Sequence, residues 1–171
     1  MASLVRNTAL TLLLAATSHG VFAAQDDDFA EDASAKGVAE VQAGKLALEK
    51  GTSADIKSFA EMMVKDHTVA NKQLADIAAA KKIEVSDEAA LMDKAKAMIL
   101  ELRGAKSFDQ AYANNQVKAH QQTIELFEEQ AKDGKDAELK AFAAATLPKL
   151  KAHLVQAEKL ATAHGGDAAK Q

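Results

Sequence analysis

Four residues in this chain have the types and positions to hold a metal ion together: Glu40, His67, His120 and His153. Each interrupts an apolar stripe. His67 falls among Ile56, Phe59, Ala60, Met63, Ala70, Leu74 and Ile77, and His120 among Ala113, Val117, Ile124, Phe127 and Ala131. His153 falls among Leu139, Phe142, Leu150, Ala157 and Leu160, and Glu40 among Ala33, Gly37, Gly44 and Ala47. Neutral imidazole nitrogens suit zinc, copper, iron or nickel, and a glutamate adds one negative charge. The cofactor these residue types imply is therefore one divalent transition metal, zinc, iron or copper. Asp66, Asn71 and Gln116 stand close enough in the chain to act as outer-shell partners. Met63, one turn before His67, offers a thioether to copper or simply fills the core.

The competing expectation is a metal-free network. Without a metal each ring needs its own donor and acceptor, in places where leucine would do. Other chemistries are poorly supported. No Glu is followed by His at i+3, so the Glu-x-x-His pairs of di-iron bundles are missing. There is no Cys, no Gly-x-Ser-x-Gly and no Gly-rich phosphate loop. A site closed by four protein ligands is more often structural than catalytic. Storage, buffering or structural stabilisation is thus expected ahead of an enzyme, with stress protection as the context.

The elements that must position these residues are helices. The stripes repeat at i, i+3, i+4 and i+7. Of the 171 residues, 48% are hydrophobic but only 4% aromatic, and there is one Pro. No stretch alternates with period two, which argues against a sheet protein. The spacing predicts long helices over 29–50, 54–82, 108–132 and 137–164, and a shorter one over 87–103. Asp28 with Glu31, Ser53, Ser86, Ser107 with Gln110, and Asp136 read as N-terminal caps. Gly51, Gly104, Gly134 and Gly165 read as stops. Pro148 predicts a kink in the last helix. Gly37 and Gly44 each cost about 1 kcal/mol inside a helix, which suggests a close backbone approach. His164 reads as a C-terminal cap, and no internal repeat stands out.

The short connections make two antiparallel hairpins. The shorter helix is long enough to carry the chain back across the bundle. The fold class expected is all-α, a ferritin-like four-helix bundle with that helix in the crossover between the hairpins. Counted at 1.5 Å per residue from the first hairpin turn, Glu40, His67, His120 and His153 then lie about 15, 20, 18 and 16 Å down. They share one layer.

Residues 1–23 read as a cleaved signal peptide. Arg6 gives the positive start, Ala9 to Ala16 the apolar run, and Val21-Phe22-Ala23 the cleavage motif. An acidic leader over 24–28, the bundle over 29–164 and a tail over 165–171 follow. After cleavage the chain carries 20 basic and 25 acidic residues, a formal charge of −5. That disfavours nucleic acid and anionic membrane surfaces as partners. No later stretch is expected to be an integral membrane segment. The location expected is periplasmic, with peripheral envelope association and a protein partner or homodimer as further expectations.

Several stretches resemble a known family. They are Phe59-Ala60-Glu61-Met62-Met63-Val64-Lys65-Asp66-His67, Ser107-Phe108-Asp109-Gln110-Ala111-Tyr112, Val117-Lys118-Ala119-His120 and Leu147-Pro148-Lys149-Leu150-Lys151-Ala152-His153-Leu154. Together they resemble exported bacterial proteins carrying a ferritin-like domain of unknown function, often labelled outer membrane proteins. The resemblance covers about 29–160. It implies the bundle fold and an envelope location, and it implies no activity. Its pattern includes Asp66, His67, Asp109, Tyr112, His120 and His153. Tyr112 points inward near the start of its helix, where a hydrogen bond to the crossover is expected.

Overall fold

The computed structural model describes residues 19–83, 85, 91 and 107–165. Among them the chain forms four helices: α1 His19–Lys50, α2 Ala54–Lys81, α3 Phe108–Asp133 and α4 Ala137–Ala163. The helix expected over 87–103 (all but Leu91), residues 1–18 of the expected signal peptide, and the tail after Gly165 lie outside the described residues.

The first helix begins at His19 and runs through the acidic residues, so Asp28 is not its cap. The reason is that the acidic run has a partner elsewhere. Asp26 is buried and accepts hydrogen bonds from Gln130 Nε2 (2.8 Å), Lys135 N (3.3 Å) and Asp136 N (2.9 Å). Those bonds clamp the turn between α3 and α4. Ser53 stands at the N-cap of α2, but its hydroxyl makes no cap bond and donates to Asp109 instead. Ser107 accepts from Gln110 N at 3.5 Å. The Gln110 amide Nε2 donates to Gly165 O at 2.5 Å, which ties the start of α3 to the end of α4. Asp136 caps α4 as expected, accepting from Glu138 N and Leu139 N at 3.0 Å each. Pro148 lies inside α4, which continues on both sides of it.

The hydrogen bonds at the two ends establish the helix order. Asp109, at the start of α3, accepts from Thr52 N (3.0 Å), Thr52 Oγ1 (2.7 Å) and Ser53 N (3.0 Å). Thus α3 starts at the α1–α2 turn, although α2 ended at the other end of the bundle. There Lys81 Nζ holds Asp136 Oδ2 (2.8 Å) and Glu138 Oε2 (2.7 Å) at the start of α4. The end of α2 and the start of α3 therefore lie at opposite ends of the bundle, the arrangement that the single long crossover of ferritin-like folds requires. The end of α4 returns to the first turn, where His164 Nε2 lies 3.0 Å from Asp55 Oδ2.

The structure also exposes a relation between the hairpins that the sequence hides. Asp26 clamps residues 135 and 136, and Asp109 clamps residues 52 and 53. Each position in the first hairpin maps onto one 83 residues later. The relation pairs Gly51 with Gly134, Ile56 with Leu139, Phe59 with Phe142 and Ala60 with Ala143, all buried. It also pairs Asp66 with Lys149, which meet at 3.2 Å. The two hairpins are thus related by a pseudo-two-fold axis.

The glycines in α1 do admit close packing. A Cβ on Gly37 would lie 1.8 Å from Asn71 Oδ1, and one on Gly44 would lie 2.7 Å from Val64 Cγ2 and 3.1 Å from the Ala60 carbonyl oxygen. The core divides into two apolar clusters. One, nearer the first turn, holds Ile56, Phe59, Met63, Tyr112, Val117 and Leu160. The other holds Phe29, Leu74, Ile124, Phe127, Leu139, Phe142 and Leu150. The three histidines fall between them.

Candidate metal centre

Each long stripe reaches the boundary between the clusters with a polar residue. On α2 it is His67, between Met63 and Leu74; on α3, His120, between Val117 and Ile124; on α4, His153, between Leu150 and Ala157. All three are buried. Their ring centroids stand 5.6, 5.6 and 5.5 Å apart, nearly an equilateral triangle. One ring nitrogen from each lies within 4.8 Å of the other two.

The second nitrogen of two rings is already used. His120 Nδ1–H donates to the Gln116 carbonyl at 2.9 Å. His153 Nε2–H donates to Asp66 Oδ2 at 3.1 Å, and Lys149 Nζ holds the other Asp66 oxygen at 3.2 Å. Neither a carbonyl nor a carboxylate can donate, so the bonded nitrogen of each ring carries a proton. The opposite nitrogens, His120 Nε2 and His153 Nδ1, are buried and have no partner among the described residues; nor has His67 Nε2. A ring nitrogen tied to a carbonyl or carboxylate, with its opposite nitrogen free, is the usual arrangement of a metal-binding histidine.

The electrostatics keep the His67 and His153 rings neutral. Burial, with help from the neighbouring His120 and His153, pushes His67 down to about 3. Burial lowers His153 to about 4, against the opposing effect of its hydrogen bond to the Asp66 carboxylate. Burial alone would raise the Asp66 carboxyl, but its bonds to His153 and Lys149 outweigh that and lower it. At neutral pH His67 and His153 therefore present lone pairs and Asp66 is ionised.

Whether the triangle fits a metal can be worked out. For three atoms 4.8 Å apart, the outer limit here, the central point lies about 2.8 Å from each. A metal–imidazole bond is about 2.0–2.1 Å, so each ring would move inward by at most about 0.7 Å. That is within side-chain torsion, without helix movement.

Glu40 belongs to the same layer but not to the triangle. It is buried and accepts from Gln116 Nε2 at 2.8 Å. Its carboxylate oxygens are not among the mutually close ligand atoms. Of the expected outer partners, Gln116 links Glu40 to His120, while Asp66 serves His153 rather than its chain neighbour His67. Asn71 packs against Gly37. Met63 is fully buried within the apolar cluster. Lys149 was missed. Its signal was Asp66 at the 83-residue spacing, which acquires meaning only once the hairpins are paired.

Tyr112 is fully buried between Phe59 and Phe108, with centroids 6.2 Å away on each side. Its hydroxyl has no partner among the described residues, and the crossover to which a bond was expected lies outside them. Burial, followed by the nearby Glu40, raises its pKa well above the ordinary tyrosine value. Asp109 is structural. Burial pushes its carboxyl up, but the bonds from Ser53 and Thr52 outweigh that and hold it at about 2.

Fold and site together define an all-α four-helix bundle with a buried layer of three histidines capable of holding a metal. The chain belongs to the family described as "Domain of unknown function (DUF4142)", which matches residues 12–160. Among solved structures it is similar to "CopM in the apo form", with a TM-score of 0.62 and 16% identity. That match covers 78% of this chain and 93% of the other, and at this identity it shows the fold alone. None of the curated proteins matches the chain. Among the described residues no helix is long and apolar enough to cross a membrane.

Proposed function

We propose that this protein is an exported, periplasmic metal-binding bundle that holds one divalent transition metal through His67, His120 and His153. The carrying observation is that three buried histidines bring one ring nitrogen each within 4.8 Å of the other two, and that each ring has a buried nitrogen with no partner among the described residues. An apolar core gains nothing from such a set. Each buried polar group left unpaired costs about 1–3 kcal/mol, and a metal would satisfy all three at once. Three nitrogen donors suit zinc, copper or iron, with copper(II) the tightest of the divalent series. Glu40 lies in the same layer and supplies nearby negative charge; as a fourth ligand it would have to leave Gln116. The role this supports is metal buffering, storage or structural stabilisation. The similarity to a bundle described as an apo form is in keeping with a fold that takes a ligand.

The metal-free network draws on the bonds from Gln116 to Glu40 and from His153 to Asp66. It leaves the three nitrogens unexplained. The test is elemental analysis of protein purified without chelator, beside His67→Ala and His153→Ala. The expected result is about one equivalent of a single metal, lost in both variants, with a melting temperature that falls on chelation. Protein that stays metal-free when offered zinc, copper, iron and manganese would refute the reading.

A further inference from the structure

All three histidines are buried, so a metal ion that reaches them must pass between helices. A cavity of about 30 Å³ touches two of them, His67 and His153. Its wall grades from core to surface: Glu40 and Thr123 are buried, Asp66, Ala70 and Thr146 half-buried, and Lys149 exposed. The pseudo-two-fold explains why there is room on this side. In the 83-residue relation the counterparts of His120, His153 and Gln116 are Gly37, Ala70 and Ala33, and all three small residues line the cavity.

We propose that this cavity is the passage by which the metal cation enters and leaves the histidine site. The proposal rests on the metal reading above and adds a route to it. Two arguments carry it. The first is what the inner wall offers. Thr123 Oγ1 donates its hydrogen to the Ala119 carbonyl (2.7 Å), and Thr146 Oγ1 donates to the Phe142 carbonyl (2.8 Å). Both hydroxyls are left with lone pairs alone. Glu40 and Asp66 add carboxylate oxygens, held in place by Gln116 Nε2 and by His153 Nε2–H. Such acceptors suit a cation. The donors on the wall, Asn71, Lys36 and Lys149, stand at half-buried or exposed positions. Lys149 is paired with Asp66, and a lysine stem can line a wall while its ammonium reaches water. The second argument is size. Room for one water-sized species means that an ion sheds most of its water to pass, and oxygens along the wall replace it.

The experiment mixes purified protein with copper(II) in a stopped-flow cell, after the copper bound at equilibrium has been counted. Uptake is followed by the copper(II)–imidazole absorbance. Release is followed in EDTA, at concentrations where its rate no longer rises. Ala70→Leu narrows the passage without replacing a ligand. It should keep its copper and its affinity, and slow uptake and release alike by about tenfold or more, because a barrier on a shared path enters both rates. Lys149→Gln is a surface change with little folding risk, and it leaves the Asp66 carboxylate less covered at the mouth. It should speed uptake about threefold at low salt and little at high salt. Ala70→Leu that takes up and releases copper at the parental rates overturns the proposal. So does one that slows uptake alone, with affinity falling by the same factor, because that marks a weakened site and not an obstructed path. If Ala70→Leu does not fold, Lys149→Gln decides: uptake at low salt no faster than the parent's overturns the proposal. A parent protein that takes up no copper shows in the metal count before any rate is measured, and that outcome refutes the metal reading and the route together.

Discussion

Asp109→Asn tests how the bundle holds α3, and with it His120, at the right depth. The Asp109 carboxylate accepts bonds from the backbone and hydroxyl groups of Thr52 and Ser53 at the α1–α2 turn. Its pKa is held at about 2 against an ordinary 3.8. A depressed folded-state pKa means that the ionised form stabilises the fold. The contribution is complete above the unfolded value and lost as pH falls through the folded one. A shift of 1.8 units corresponds to about 2.4 kcal/mol at pH 7, shrinking to about 1.3 kcal/mol at pH 3. The asparagine amide keeps one acceptor and loses the charge, so Asp109→Asn should cost about 2–3 kcal/mol at neutral pH. For a domain of this size that is a melting temperature lower by about 5–10 °C. The assay is urea unfolding of both proteins at pH 7, 5, 4 and 3. The gap between them should hold steady down to about pH 5 and narrow below pH 4. A gap under about 0.5 kcal/mol at pH 7, or one unchanged at pH 3, would refute the reasoning.

Three further outcomes follow from the same structure. His67→Leu should abolish metal binding yet raise the stability of the metal-free protein by about 1–3 kcal/mol, because it removes a buried orphan nitrogen; chelated protein in a thermal melt checks the sign. Gly44→Ala should destabilise despite better helix propensity, since its Cβ would press on the Ala60 carbonyl at 3.1 Å and on Val64 at 2.7 Å. Denaturant midpoints would show a net loss of about 1 kcal/mol or more, and a gain would mean that the helices are not in close contact there. Tyr112→Phe should leave the melting temperature unchanged or slightly higher, since the hydroxyl has no partner to lose among the described residues; a loss above about 1 kcal/mol would reveal one.

Helix periodicity made the fold legible before any coordinates. Each stripe pointed one face inward, and Gly51 and Gly134 marked short turns that force antiparallel hairpins. The same periodicity placed His67, His120 and His153 on inward faces, and counting residues put them at one depth. It failed at the start of α1 because local rules read Asp26–Asp28 as a leader and a cap. Asp26 is in fact satisfied by a turn more than 100 residues away, an outcome no local rule can see.

What the sequence by itself determined is therefore which residues face the core and roughly how deep they lie, because both follow from a rise and a turn per residue. Tertiary structure alone decided which of them meet. Glu40 lines one pocket with His67 and His153 and accepts from Gln116, while Asp66, next to His67 in the chain, serves His153 across the bundle. Partner choice depends on the rotation of each helix about its axis and on the side of the pseudo-two-fold it occupies. Those quantities are settled by packing, such as the close approach at Gly37 and Gly44, and by the clamps of Asp26 and Asp109 on the opposite turns. They couple residues far apart in sequence, so no pattern within a single helix encodes them.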